Sequence, residues 1–142
     1  MKIQYTSSIV RYAGDFPTLS AFLMCPTPKE SDSESFLSRA EGTLSGSQSA
    51  LSLSYKEEDG SAVSLSYNGE ELFFKRAATA SHFKRGSVTA FSHMTDMGAL
   101  PISAYTTRLD VLEREGMLLL TLTAYMHVTG MVQKTTMKWK IS

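Results

Sequence analysis

The side chains that commonly carry out chemistry are few in this sequence, and they are widely spaced. There are three histidines, His82, His93 and His127, and one cysteine, Cys25. No two histidines stand two residues apart, the spacing that puts side chains on one face of a strand, so the spacing argues against a metal site. A single cysteine can form neither an internal disulfide nor a two-cysteine zinc or redox site. We therefore predict no catalytic residue, no metal and no cofactor, and the lone thiol indicates a reducing cytoplasm.

One short motif matches a catalytic signature. Ser81-His82-Phe83-Lys84 fits the Ser-x-x-Lys pattern of penicillin-recognising enzymes, in which the serine begins a helix so that the lysine can activate it. Here the motif runs into Gly86 within a predicted hairpin, so the helical context is missing. The sequence also has no Gly-x-Ser-x-Gly, Walker loop or dinucleotide-binding fingerprint. We therefore predict that the protein is not an enzyme.

Arg76 is the strongest candidate for a binding residue. It follows Leu72 and Phe74 in strand phase, so its guanidinium should enter the predicted barrel near one rim. A guanidinium away from water must be paired, and we expect the acidic tip at residues 57–59 and Asp96 at the same rim. Two interpretations stay open. Arg76 forms a structural ion pair that closes the barrel end, or it meets the anionic head group of a small ligand. The ligand interpretation adds three inward-facing candidates, Tyr67, Gln133 and Thr135.

Composition limits the classes of protein and partner. The chain has 142 residues, of which 42% are hydrophobic and 10% aromatic, so it can bury the core of a single domain spanning residues 1–142. Its net charge is zero, which removes the usual basis for nucleic-acid binding. Polar residues interrupt the N-terminal segment, and the longest apolar run covers only residues 117–120, so we predict neither export nor a membrane span.

Alternating apolar and polar residues predict an all-β protein. From residue 36 onward, short alternating segments are separated by glycine-containing turns, which is typical of an antiparallel meander. The segments lie near residues 2–10, 36–46, 49–56, 62–67, 70–77, 79–84, 87–95, 99–112, 117–128 and 131–141. Sequential hairpins with one apolar face and little helix favour an antiparallel up-and-down β-barrel of eight to ten strands. The apolar phase shifts within residues 99–112, which predicts a β-bulge.

The turns predict how neighbouring strands pair. Asn68-Gly69 is typical of a type I′ turn and would place Leu65 opposite Leu72 and Val63 opposite Phe74. The three-residue loop at 58–60 would pair Tyr55 with Val63, Leu53 with Leu65 and Leu51 with Tyr67. A turn at Thr129-Gly130 would pair Leu122 with Met137, Leu120 with Trp139 and Met126 with Gln133. In each hairpin the apolar residues share one face, as a common interior requires.

Residues 14–35 interrupt this pattern. Pro17, Pro26 and Pro28 occur here, followed by a polar, serine-rich stretch at residues 28–34. We predict a mobile proline- and serine-rich connection near residues 14–35. Within it, Thr18 to Met24 is apolar enough for a short helix or strand lying across a barrel mouth.

The predicted interior and exterior suggest two functions. Most inward positions are bulky, so we expect a mostly filled barrel with at most a shallow pocket at one mouth. The first hypothesis is a non-catalytic barrel that binds a small ligand at that mouth. The alternative is an interaction module or homodimer with a filled barrel as scaffold, using the basic outer stripe of Lys134, Lys138 and Lys140. On the same outer face we expect His127 to be exposed to solvent.

Several segments with consistent spacing resemble a known family. They are Leu53-Ser54-Tyr55-Lys56-Glu57-Glu58, Leu72-Phe73-Phe74-Lys75-Arg76, Phe83 with Gly86, Thr95 and Gly98, and Ala124-Tyr125-Met126-His127. Over roughly residues 36–141 the chain resembles the YwiB-like family of small bacterial cytoplasmic proteins. It departs from the family pattern at Asp96, in a turn that more often reads Thr-Pro-x-Gly, and in the insertion before residue 36. The resemblance implies a lipocalin-like (calycin) barrel, and it carries over no catalytic residues and no assigned activity.

Overall fold

The protein folds into ten strands that form a closed barrel, as the sequence predicts. The computed structural model describes residues 1–77 and 79–142. The elements are β1 (Lys2–Tyr12), α1 (Leu19–Leu23), β2 (Glu30–Ser47), β3 (Ala50–Lys56), β4 (Ala62–Tyr67), β5 (Glu71–Arg76), β6 (Thr79–Lys84), β7 (Val88–Thr95), β8 (Gly98–Arg114), β9 (Met117–Val128) and β10 (Met131–Ile141). Each strand pairs with its neighbours in sequence, and β10 closes the barrel on β1. The prediction of an up-and-down antiparallel barrel is therefore confirmed.

The interior is built by residues two apart in sequence. On β3, Leu51, Leu53 and Tyr55 are buried while Ser52 and Ser54 are exposed, which is the pattern of a strand with one face toward a core. Bulky side chains fill the centre and one end of the barrel, among them Trp139, Leu53, Leu72, Leu109, Leu120 and Leu122. This packed region is the main source of stability, because burying each such side chain removes apolar surface from water.

Two of the three predicted hairpin registers are confirmed, and the third is wrong by two residues. Between β4 and β5, Leu65 lies opposite Phe74 instead of Leu72. The turn centres on Gly69 and Glu70, and Gly69 has a φ of +101°, as at the first position of a type II′ turn. The Asn68 side chain accepts hydrogen bonds from the N–H groups of Glu70 and Glu71 instead of occupying the turn itself. A shift of two residues keeps each side chain on its predicted face.

A bulge in β8 explains the shift in its apolar phase. The register with β9 changes between Thr106 and Arg108, so that Ala104 and Thr106 before it and Leu109 and Val111 after it all face inward. The extra residue bends the strand and restores its apolar face to the interior. The predicted bulge is confirmed.

The second strand is longer than predicted. It begins at Glu30, so residues 30–35 form part of β2 and not of the connection. This stretch pairs with β1, and Arg11 on β1 binds Asp32 and Glu34 across the two strands, with Nη–O distances of 3.2 and 2.8 Å. Polar side chains on both faces conceal the strand in the sequence, because alternation gives no signal where neither face is buried.

The apolar part of the connection is a helix, and it packs against the outer wall instead of crossing the mouth. The Thr18 hydroxyl accepts a hydrogen bond from the Ala21 N–H and caps α1. Phe22 is buried against Tyr12 and Tyr125, which point outward from β1 and β9. The same segment covers His127, whose Nε2 lies 2.7 Å from the Phe16 carbonyl oxygen. His127 is therefore half-buried, and the expectation of a solvent-exposed histidine is wrong.

Candidate functional site

One end of the barrel contains a cavity of about 400 Å³ that opens at the mouth. Its apolar lining comes from Ile9, Phe74, Phe83, Phe91, Ile102, Met126 and Met137. Its polar lining comes from Ser7, Arg76, Thr79, Ser81, His93, Gln133 and Thr135, of which Arg76 and Thr79 stand at strand ends. We refer to this space as the mouth cavity. It is larger than the shallow pocket that the sequence predicts.

The cavity exists because small polar residues replace bulky ones at this end. Ser7 lies opposite Met137, and Ser81 lies opposite Phe74. Each pair thus combines one large side chain with one small side chain, which leaves free volume beside the large one. At the packed end, in contrast, Leu120 faces Trp139, and both are fully buried. The barrel is therefore packed at its centre and one end, and it is hollow at the other end.

Three of the four candidate residues lie together. Arg76, Gln133 and Thr135 all line the mouth cavity. Tyr67 does not, because it lies opposite Leu72 while Arg76 lies opposite Val63. Four residues along a strand separate the two levels by about 13 Å. The Tyr67 hydroxyl instead donates to the Gly69 carbonyl oxygen at 3.2 Å, at the other end of the barrel.

Arg76 forms a two-point ion pair with Glu57 at the mouth. Its Nε lies 2.7 Å from Glu57 Oε1, and its Nη2 donates to Oε2 at 2.9 Å. The Glu57 side chain is only 8% exposed, whereas that of Arg76 is 38% exposed. Phe36 covers the guanidinium, with 5.7 Å between the guanidinium carbon and the ring centre. The pair supplies the carboxylate partner that the sequence predicts for Arg76 from the hairpin tip.

The floor of the cavity is aromatic and uncharged. Tyr5 and Phe74 lie between the cavity and Trp139, with ring centres 5.2 and 5.3 Å from the indole. The indole N–H donates to the Tyr55 hydroxyl at 3.2 Å. Burial raises the pKa of Tyr55 to about 12, and burial also raises the pKa of Tyr5. Both phenols therefore stay protonated at neutral pH.

His93 also lines the mouth cavity, although the sequence does not single it out as a binding residue. It lies on β7 two residues after Phe91, and both side chains line the mouth cavity. Its Nδ1 is hydrogen bonded to the Thr79 hydroxyl on the facing strand β6. The phase that His93 shares with Phe91 could have revealed its inward direction. Within residues 1–77 and 79–142, no three histidine, cysteine or acidic side chains come together as ligands for a metal ion.

No helix in the described ranges is long and apolar enough to cross a membrane.

Comparisons with known proteins identify the fold. No family model matches the sequence, and no curated protein matches it. The structure is similar to the crystal structure of the YwiB protein from Bacillus subtilis, with a TM-score of 0.63 and 16% sequence identity. The similarity covers 99% of this chain and 92% of the YwiB chain. The chain therefore has the fold of YwiB over nearly its whole length, and at the level of the fold this confirms the resemblance to the YwiB-like family.

Proposed function

We propose that this protein is a non-catalytic, lipocalin-like barrel that binds one small, mainly apolar molecule in the mouth cavity. The supporting observation is the cavity itself. Its volume of about 400 Å³ falls within the range of small-molecule sites, and its mainly apolar wall carries a few polar groups. An apolar body would pack against Phe83, Phe91 and Met126, and a polar end group would reach Arg76 or Gln133.

The polar groups of the cavity favour binding over catalysis. Arg76 is already bound to Glu57, and His93 is already bound to Thr79. These contacts hold the side chains in place and leave hydrogen-bonding groups for a ligand. The single free thiol, Cys25, supports our placing of this activity in the cytoplasm.

Native mass spectrometry of protein purified from its own host tests this proposal. We expect a co-purified small molecule on the wild-type protein. Ser81→Phe should abolish this adduct, because the added ring fills the cavity opposite Phe74. Ser64→Phe is the matched control, since Ser64 is exposed on the outer face of β4. The proposal fails if wild type carries no adduct, or if both variants retain it equally.

The open edge of β2 supports a second candidate function, association with a second copy of this chain. The register of β2 with β3 covers residues 42–47, which leaves one edge of residues 30–41 without a strand partner in the described part of the chain. Phe36 and Leu37 on this stretch are 47% and 49% exposed. An open strand edge with exposed apolar side chains favours pairing with another strand.

Sedimentation at high protein concentration tests this second function. We expect a dimer of the wild-type chain, because two β2 edges can pair antiparallel across a two-fold axis. Leu37→Lys should shift the protein to a 15.6 kDa monomer. Leu112→Lys is the matched control at another exposed leucine and should leave the dimer intact. A wild-type monomer would contradict self-association.

A further inference from the structure

The charges at the mouth cavity cancel. Among the residues that line the cavity, Arg76 is the one with a permanent charge, and Glu57 neutralises it through two contacts. The Glu57 carboxylate is almost fully buried, so water contributes little to its solvation. The other lining groups are apolar side chains, hydroxyls, an amide and one imidazole. The mouth cavity therefore offers hydrogen bonds without a net charge.

We infer that Glu57 is a specificity-determining residue, and that the cavity binds a molecule with an uncharged polar end group, such as an alcohol or an amide. This inference rests on the function proposed above and concerns the charge of the ligand. It departs from the interpretation in which Arg76 meets an anionic head group, because Glu57 already occupies the guanidinium.

An anionic ligand would gain little at this site. A carboxylate that approaches Arg76 must either share the guanidinium with Glu57 or lie next to the buried Glu57 carboxylate. Both arrangements place two negative charges around one positive charge, and water screens the buried Glu57 carboxylate only weakly even though the Arg76 side chain is 38% exposed. The ligand would also lose its own hydration. Repulsion by Glu57 therefore selects against acids.

A cationic ligand is disfavoured for the complementary reason. Glu57 is occupied by Arg76, so an ammonium group would approach the guanidinium without a free carboxylate to pair with. An uncharged hydroxyl or amide has no such cost. It can accept from the remaining guanidinium N–H groups, and it can bond to Gln133 and Thr135 at the same end of the cavity.

Calorimetric titration with three matched compounds tests the inference. The probes are 4-phenylbutanol, 4-phenylbutylamine and 4-phenylbutyrate, which share one apolar body and differ in end-group charge. At pH 8, where histidine side chains are ordinarily neutral, we expect wild type to bind the alcohol at least about tenfold more tightly than either ion.

Two variants separate the effect of Glu57 from general changes in charge. Glu57→Gln keeps the shape of the side chain and leaves the Arg76 charge unbalanced. The variant should therefore bind 4-phenylbutyrate at least about tenfold more tightly than wild type does. Affinity for the alcohol should change by less than about threefold. Glu58→Gln is the control, because Glu58 is the neighbouring exposed carboxylate. It should leave all three affinities unchanged.

The outcomes distinguish the two proposals. If wild type binds none of the three compounds, the proposed ligand-binding function is wrong, and the inference fails with it. The inference about ligand charge is overturned, while the proposed function stands, if wild type binds the compounds but prefers the carboxylate. It is also overturned if Glu57→Gln leaves the affinity for 4-phenylbutyrate relative to 4-phenylbutanol unchanged. If a thermal melt shows that Glu57→Gln is not folded, the order of the wild-type affinities for the three compounds still tests the inference.

Discussion

Tyr55 lies beneath the mouth cavity with its hydroxyl group removed from water. Burial favours the neutral phenol and raises its pKa to about 12 from an ordinary value of 10.0. The folded protein therefore holds this proton more tightly than the unfolded chain does. The resulting stability is fully present below pH 10 and is lost as the pH rises through about 12.

We predict that the free energy of unfolding falls between pH 10 and 12, with about 2–3 kcal/mol of the loss due to Tyr55. Tyr55→Phe should lower stability at neutral pH, because the Trp139 N–H loses its acceptor, but should make the alkaline decline shallower. Urea unfolding at a series of pH values measures both effects. Tyr105→Phe should decline as wild type does, and an unchanged slope in Tyr55→Phe would contradict the prediction.

Individual residues could be predicted to the correct face but not always to the correct level. Alternation places Arg76, Gln133, Thr135 and Tyr67 inside the barrel, and all four do face inward. Alternation does not say how far along the axis a residue lies. Tyr67 was therefore grouped with Arg76 by its face alone, although it lies opposite Leu72, four residues along the strand from the level of Arg76.

At the scale of elements, the contact between β2 and β3 depends on Gly42. A Cβ at this position would lie 2.3 Å from Ile3 Cδ1 and 2.5 Å from the Ser54 carbonyl oxygen. The side chain of Ile3 could adjust, but the backbone of Ser54 is held in the β3 pairing. Because β1, β2 and β3 approach one another closely at this point, position 42 requires a residue without a side chain.

We predict that Gly42→Ala lowers the free energy of unfolding by about 1–3 kcal/mol, because the methyl group forces β2 and β3 apart. Equilibrium urea unfolding measures the change. Ser45→Ala, an exposed position on the same strand, should stay within about 0.5 kcal/mol of wild type. Equal effects of the two substitutions would show that the predicted clash is relieved without cost.

Elements were predictable where one face is buried and the other is not. The strands from β3 to β10 have such faces, and their predicted bounds agree with the structure to within a few residues. The first part of β2 has no buried face, and its strand conformation comes from pairing with β1 and from Arg11. The position of α1 could not be predicted, because it depends on contacts with outward-facing aromatic residues on β1 and β9 that are distant in sequence.

At the scale of the whole molecule, the barrel wall is uneven. β9 and β10 pair continuously from Met131 to Ile141 of β10, whereas the register of β6 with β7 consists of Thr79 opposite His93. Within residues 1–77 and 79–142, fewer residue pairs join the strands on this side of the barrel than on the β9–β10 side. Local opening needs less free energy where fewer backbone hydrogen bonds must break.

We predict that backbone amides of β6 exchange with deuterium faster than those of β9, because the β6–β7 side opens locally. Thr79→Val should increase this difference by removing the hydrogen bond to His93. Thr123→Val is the control on the continuous wall, where the hydroxyl lies 3.5 Å from that of Thr136. Hydrogen-exchange mass spectrometry measures both, and equal exchange of β6 and β9 would contradict the prediction.

The closed barrel could be predicted from the sequence, but its hollow end could not. Repeated hairpins with a common apolar face leave few alternatives to closure. The free volume inside depends on which large and small residues meet at each level of ten strands. A summed list of inward residues suggests a filled barrel, because it averages the packed end with the mouth.

The position of Trp139 allows its fluorescence to report on the mouth cavity. It is the single tryptophan of the chain, it is fully buried, and its indole contacts the rings of Tyr5 and Phe74, which line the mouth cavity. Indole emission responds to the polarity and motion of its immediate neighbours. Occupancy of the barrel can therefore be followed by intrinsic fluorescence, without a label and with a signal that comes from one known place.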